Sequence, residues 1–370
     1  MSRTRPKIEI VPSRTSDGVT PAGSGYVRLL LPYTNDTIRR HCTVGVSGFD
    51  NLSGDVIIFQ REVPNISARD VREKLGVLKN EGVRIVYDID DNLLDKDGLQ
   101  ARGYSREEAD EAGDKVAMLL EAADLVTVSN DRLEAKMRDV AANVRIVPNR
   151  LSASLWQTTR RRRTPGTPVR IGYMGTRTHE KDLALIREAA VLVEEKFGAD
   201  VRFEIIGGSR DGAGFGEQVA LPGRNAYPFF VHWLKEAANW DIGMVPLVDD
   251  EFNQYKSFLK YLEYSALGAA AIASNMSVYN EIITHGENGL LAADDPQDWV
   301  ESITSLVRDR ERRERLASAA ADLLAADYAI EAAEQYYLDN ICAALGMDMA
   351  ELENHDGSFS RRQYHASIDA

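Results

Sequence analysis

Cysteine is nearly absent. Two residues, Cys42 and Cys342, lie 300 positions apart in a chain of 370. That spacing offers neither a disulfide framework nor a zinc-ligand set, and a reducing compartment is the expected setting. Long apolar runs are missing as well. No stretch approaches the roughly 20 apolar residues of a membrane span. The opening MSRTRPKIEIVPS carries basic residues without the apolar run of a secretory leader. Positive charge is in deficit, with 44 Lys and Arg against 58 Asp and Glu, a net of −14. This argues against broad nucleic-acid binding, which needs an extended basic face, and leaves room for a local basic pocket. His41 and His285 have no partners at ligand spacing and read as structural. The remaining balance, 44% apolar and 28% charged, is that of an ordinary soluble globular chain. At about 150 residues per domain the length suggests two domains, and a chain this long can bury a core without staples.

Short apolar segments alternate with longer helical ones. The pattern predicts strands at 56–59, 84–89, 125–129 and 144–147, with helices at 67–80, 109–123 and 131–140 between them. That order reads as a parallel sheet covered by helices. Residues 158–168, TTRRRRTPGTP, break the pattern and read as a linker. Its four arginines suit a solvated stretch and would hold anionic lipid only weakly. The alternation then restarts, with strands at 169–174, 201–206, 242–245 and 270–273. Helices are expected at 181–197, 233–240, 257–267, 278–284 and across 296–316. The fold class is therefore α/β, with two doubly wound, Rossmann-like domains facing across a cleft. The first is expected at 1–157 and the second at 165–335. Residues 336–370 read as a C-terminal helix and polar tail, free to pack back on the first domain. Ligands of such sheets bind beyond the carboxyl ends of the strands, so residues there are the candidates.

Four constellations stand at those ends. The first is 175–182, GTRTHEKD, where Gly175 and Thr176 follow a strand. A glycine there lets backbone approach a ligand, and the next helix offers free N–H groups for a phosphate. Arg177 and Lys181 would add charge. An ordinary βα turn reads the same way, with Thr178 as N-cap and His179 on the surface. The second is 253–264, NQYKSFLKYLEY, in which Lys256, Lys260 and Glu263 fall at i, i+4 and i+7 of a helix. Two ammonium groups and a carboxylate on one stripe suit a diphosphate and a ribose. Most such stripes are merely solvated, but this one follows a strand end and is flanked by Phe252, Tyr255 and Phe258. The third is Asp88, Asp90 and Asp91. Carboxylates this close repel, so at least one pKa should rise unless cations or hydrogen bonds compensate. A metal site, a general base, a site for acceptor hydroxyls and a capping cluster all fit. The fourth, Gly23-Ser24-Gly25-Tyr26, could cradle a phosphate or sugar or form a flexible loop.

Taken together, GYMGTRTHEKDL, FEIIGG, DIGMVPL, FNQYKSFLKYLEYSALGAAAIAS and ENGLL resemble the donor-binding domain of GT-B glycosyltransferases. The likeness is greatest to the retaining enzymes of glycosyltransferase family 4. VRIVYDIDDNLL, EAADLVTVSN and VRIVPNRL fit the first domain of that fold, so the resemblance spans roughly residues 25–330. It implies transfer of a sugar from a nucleotide-sugar donor to an acceptor hydroxyl, with retention and without a metal or other cofactor. It places Lys256, Lys260, Arg177, Asp90 and Asp91 in the catalytic set. Gly175, Thr176, Lys181, Gly207 and Gly208 would hold the donor, with Asn253, Tyr255, Ser257 and Glu263. Tyr227 falls where relatives hold the nucleobase. Gly23, Gly25 and Asp88 fall to the acceptor side. Glu263 matches the second glutamate of the family's E-x7-E motif. Tyr255 stands where the first belongs, a departure that leaves the donor sugar open. The implied partners are a nucleotide-sugar and a sugar or lipid-linked glycan, with no nucleic acid. The implied setting is cytoplasmic polysaccharide assembly, with peripheral contact at the inner face of the membrane as a variant. An epimerase or phosphorylase of the same fold, or a degenerate protein that only binds sugar nucleotides, are the rivals.

Overall fold

The computed structural model describes residues 5–13, 21–63, 65–156, 167–208, 212–223 and 226–354. It divides into two compact units, Met1–Pro148 with Ala333–Ala370, and Asn149–Ala332. Most of the expected linker, including residues 160–163, and most of the polar tail fall outside the described residues.

The first unit is built on a six-stranded parallel sheet in the order β2-β1-β3-β4-β5-β6. Its strands are β1 (Lys7–Val11), β2 (Thr43–Val46), β3 (Val56–Gln60), β4 (Arg84–Ile89), β5 (Leu125–Val128) and β6 (Val144–Ile146). Every residue of β3 and β5 is buried. Helices cover both faces of a parallel sheet, so its inner strands read as unbroken apolar runs. The pattern found these inner strands but missed β1 and β2, because KIEIV mixes charge into its alternation and TVGV is short and partly exposed. The carboxylate of Glu9 on β1 is buried and accepts the backbone N–H groups of Ser53 and Gly54. Ser105 and Glu108 form a reciprocal capping box that starts the helix Arg106–Ala122, three residues before the expected position. The segment around Gly23 is not a loop. Gly23–Gly25, Tyr26–Leu30 and Leu31–Tyr33 make one helical run whose middle is π-wound. The helix Glu334–Leu345 belongs to this unit. Tyr337 packs edge-on against Tyr33 at 5.6 Å, and Thr37 donates a hydrogen bond to Glu334.

The second unit repeats the plan with order β12-β11-β10-β7-β8-β9, again wholly parallel. Its strands are β7 (Val169–Gly175), β8 (Val201–Gly207), β9 (Glu217–Val219), β10 (Ile242–Val245), β11 (Ala270–Ser274) and β12 (Leu290–Ala292). The helix expected at 278–284 is Ser277–Asn280, the stretch across 296–316 splits into Pro296–Arg308 and Arg310–Asp327, and helices depart from expectation in three further places. The helix expected at 181–197 breaks at Ile186 into Glu180–Leu185 and Arg187–Phe197. The one expected at 233–240 starts at Tyr227, where Pro228 suits a first turn, and ends at Ala237. Trp240 is released from that helix to pack edge-on against Tyr264 at 5.5 Å and to donate from Nε1 to the buried Glu204. Finally, Leu259–Leu267 begins two residues late, after the turn Asn253–Tyr255.

Candidate active site

The site is assembled at the carboxyl ends of β7, β8 and β10, all within the second unit. β7 ends at Gly175 and β8 at Gly207. Gly207 and Gly208 have φ of +67° and +81°, a region that favours glycine. A Cβ on Gly207 would lie 2.2 Å from the carbonyl oxygen of Gly175. That same carbonyl accepts the Gly208 N–H at 2.8 Å. The two strand ends are therefore stitched together through backbone, at a closeness that only glycine allows.

The helix Leu259–Leu267 is seated by Tyr264. Its ring lies against Gly243 of β10, and its hydroxyl accepts the Met174 N–H of β7 at 2.8 Å. Lys260, one turn earlier, is thereby carried over the end of β7, with Nζ 4.8 Å from the centre of the Tyr173 ring. Burial pulls the Lys260 ammonium down to about 8, with Asp182 and Glu263 opposing and Lys256 assisting. Glu263 is 9% exposed. Burial pushes its carboxyl up to about 7, although Lys260 favours the charged form. Tyr227 lies within electrostatic reach of Glu263, and its hydroxyl accepts from Trp156 Nε1 at 3.3 Å.

Lys256 departs from its expected place. Its backbone is extended, with φ −66° and ψ 163°, so it shares no helical stripe with Lys260 and Glu263. It joins the site by another route, as its charge and that of Lys260 both act on His179. Its Nζ sits 5.0 Å above the Phe252 ring. The connection after β10 is held by Asn253, which is buried and donates from Nδ2 to the Val248 carbonyl at 2.9 Å and toward Asp182 Oδ1 at 3.5 Å. Ser257 accepts from Asn149 at 2.6 Å, and the Tyr255 hydroxyl donates to Glu251 at 3.2 Å. Thr176 pairs with Thr178 through their hydroxyls, and Lys181 stands on the exposed side of its helix. The side chain of Arg177 lies outside the described residues. His179 is not a bare surface residue. Its Nδ1 lies 2.6 Å from Asp182 Oδ2. An i,i+3 His–Asp pair at a helix start was the available signal.

The aspartates of the first unit divide between two roles. Asp88 is 1% exposed. It accepts from Arg28 Nη2 at 2.6 Å and Nε at 2.9 Å, and from Thr127 Oγ1 at 2.7 Å. This buried ion pair, seated by the π-wound run, consumes its oxygens and leaves little for an acceptor. Arg28 carried no sequence signal. Gly25 is buried at the start of the same run, where a Cβ would meet Pro21 at 2.8 Å. Asp90 and Asp91 converge on Arg61, at 3.3 and 2.9 Å. Arg61 follows β3 with φ +54°, an uncommon value for a side-chain-bearing residue. Burial pushes the Asp90 carboxyl up, Arg61 opposing and Asp91 assisting. Lys115 pins the same connection by donating to the carbonyls of Val63 and Ile66 at 2.9 and 3.1 Å.

Fold and sequence now define a class. Two α/β units with six-stranded parallel sheets are the fold of GT-B glycosyltransferase structures. Residues 168–309, which hold the whole second-unit site, match the profile of the family described as glycosyl transferases group 1. Among solved structures, the chain is similar to HepE of Anabaena in complex with UDP and glucose. The identity is 13%, the TM-score 0.59, and the match covers 92% of this chain and 100% of that one. It is similar to sucrose-phosphate synthase of Thermosynechococcus elongatus at 15% identity and a TM-score of 0.62, with the same coverage of 92% and 100%. TarM of S. aureus is similar over 78% of this chain and 54% of its own, at 13% identity and a TM-score of 0.53. Identities this low speak for the fold alone. No curated protein matches the chain in a sequence comparison.

Proposed function

We propose that this chain is a glycosyltransferase that uses a nucleoside-diphosphate sugar and transfers the sugar to an acceptor hydroxyl with retention. One observation carries the reading. Within the segment that matches group 1 glycosyltransferases, Lys256, Lys260 and the His179–Asp182 pair gather beside side-chain-free strand ends. A cationic lining beside these strand ends suits a diphosphate.

Cleavage of the anomeric C–O bond leaves positive charge on the sugar and negative charge on the diphosphate. Preorganised donors at the leaving group supply the largest electrostatic share of such catalysis, and Lys260 and Lys256 are assigned that part. The first helix adds little to this, since a six-residue helix carries little end charge. Glu263, with Tyr227 nearby, is assigned to the nucleoside hydroxyls. The acceptor is assigned to Asp90 and Asp91 of the first unit, with their shared Arg61. No side-chain nucleophile is invoked, and the acceptor proton passes to the departing diphosphate. The HepE structure is a complex with UDP and glucose, which makes uridine the first nucleobase to try. The reading neutralises the diphosphate with side chains, so EDTA is expected to leave turnover unchanged.

The test is a thermal-shift panel of UDP-, GDP-, ADP- and dTDP-glucose, followed by donor hydrolysis without acceptor. Stabilisation by one nucleotide class and slow hydrolysis of that donor are expected. Conversion to an epimeric nucleotide-sugar would establish the epimerase instead. Binding without turnover toward any hydroxyl would establish a binding protein.

A further inference from the structure

His179 and Asp182 lie one turn apart where the chain leaves β7. Asp182 is 4% exposed, and its two oxygens are held by three donors. They are His179 Nδ1 at 2.6 Å, the Val248 N–H at 2.8 Å and Asn253 Nδ2 at 3.5 Å. Burial pushes this carboxyl up, but the hydrogen bonds from His179 and Val248 outweigh it and hold it below the usual carboxylate range. An ionised carboxylate only accepts, so a neutral imidazole facing it must carry its hydrogen on Nδ1. Nε2 is then a bare lone pair, and among the described residues it has no hydrogen-bond partner.

That geometry has a consequence for an anion. A phosphate oxygen is itself an acceptor and would be repelled by a lone pair. Only the imidazolium presents an N–H from both ring nitrogens. We propose that His179, with Asp182 as its positioning residue, binds the donor diphosphate through Nε2 and takes up one proton from solvent as that anion docks. The inference rests on the functional reading above. The groups facing the ring are Asp182 on its own turn, Tyr173 on β7, and Lys256 and Lys260 from the stretch after β10. Burial and the two ammonium groups hold the ring neutral, with Asp182 opposing them. A bound diphosphate reverses that balance, because opposite charge favours the protonated form.

Calorimetry tests this on the full chain. Binding of the four nucleoside-diphosphate glucoses would be measured at pH 7 in two buffers of different ionisation enthalpy, giving the number of protons taken up. The diphosphate of such donors stays ionised across neutral pH, so the protons counted belong to the protein. Lys260, at about 8, is already mostly protonated and adds about a tenth of a proton, whereas Glu263, at about 7, is half-titrated and can take up or release up to about half a proton in wild type and variant alike. Wild type is expected to take up about 0.5–1 proton more than His179→Gln. His179→Gln keeps an N–H donor that does not titrate. It should lose that difference while losing under about tenfold in affinity. His179→Ala should bind about 10- to 100-fold more weakly. Asp182→Asn should lower both uptake and affinity, which a merely structural contact would not do to the proton count. Equal uptake in wild type and His179→Gln overturns the inference and leaves the transferase reading standing. Failure of all four donors to bind overturns the transferase reading and this inference with it.

Discussion

Lys260 should weaken the protein it serves. Its ammonium falls from an ordinary 10.5 to about 8, chiefly through burial. At about 1.4 kcal/mol per pH unit that difference amounts to about 3 kcal/mol. Partial exposure of the side chain discounts it to about 1–3 kcal/mol. The sign follows from proton counting. Between about 8 and 10.5 the unfolded chain binds the proton more often than the folded one, so stability rises with pH across that window. Below 8 the whole cost is present. Lys260→Met keeps the apolar stem and the contact with the Tyr173 ring but removes the charge. At pH 7 its urea midpoint should rise by an amount equivalent to about 1–3 kcal/mol. The gain should shrink as the pH is raised from 8 toward 10.5. Turnover with the preferred donor should fall by about 100-fold or more, the scale of one preorganised charge contact. A variant less stable than wild type at pH 7, or a gain indifferent to pH, would refute the desolvation argument. A loss of turnover below about threefold would remove Lys260 from the site.

Glu263 has the opposite sign. Its folded-state pKa of about 7 lies above its ordinary 4.5, so its contribution is complete below 4.5 and is lost as pH rises through 7. Glu263→Gln should therefore flatten the urea midpoint between pH 5 and 7.5, and an unchanged slope would count against a buried carboxyl. Gly208→Ala forces a side chain into φ +81° and to 2.9 Å from Leu183 and Tyr173. It should cost about 1–3 kcal/mol and abolish the thermal shift given by the preferred donor. Arg28→Met leaves Asp88 buried without its ion partner. Unfolding of the first unit should be eased by about 3–5 kcal/mol, read by urea denaturation, while the double variant Arg28→Met, Asp88→Leu recovers most of that loss.

The inner strands of both sheets, β1 excepted, were legible because parallel strands are buried on two faces and spell unbroken apolar runs. β9, only three residues long, and the charged β1 carry no such run, and their pairing is decided by neighbours. The site was legible in composition and less so in geometry. Lys260 and Glu263 share a helix as their spacing requires, but Lys256 does not. The helix begins only after the Asn253–Tyr255 turn, which Asp182 and Asn253 hold from 71 residues apart. Arg28 left no trace at all, because an isolated arginine becomes meaningful only when a carboxylate 60 residues away is folded against it.

The amino-acid order alone determined that this chain makes two parallel α/β units and that basic residues follow particular strands. These properties are local, written in hydrophobic period and in which residues border each run. Which side chains meet was decided by tertiary structure. Burial shifted the titration of Lys260, Glu263 and His179, and hydrogen bonds from Val248 and Asn253, 66 and 71 residues away, hold the Asp182 that aims His179. Desolvation and hydrogen bonding depend on distances between residues remote in the chain, and no pattern of neighbours contains them.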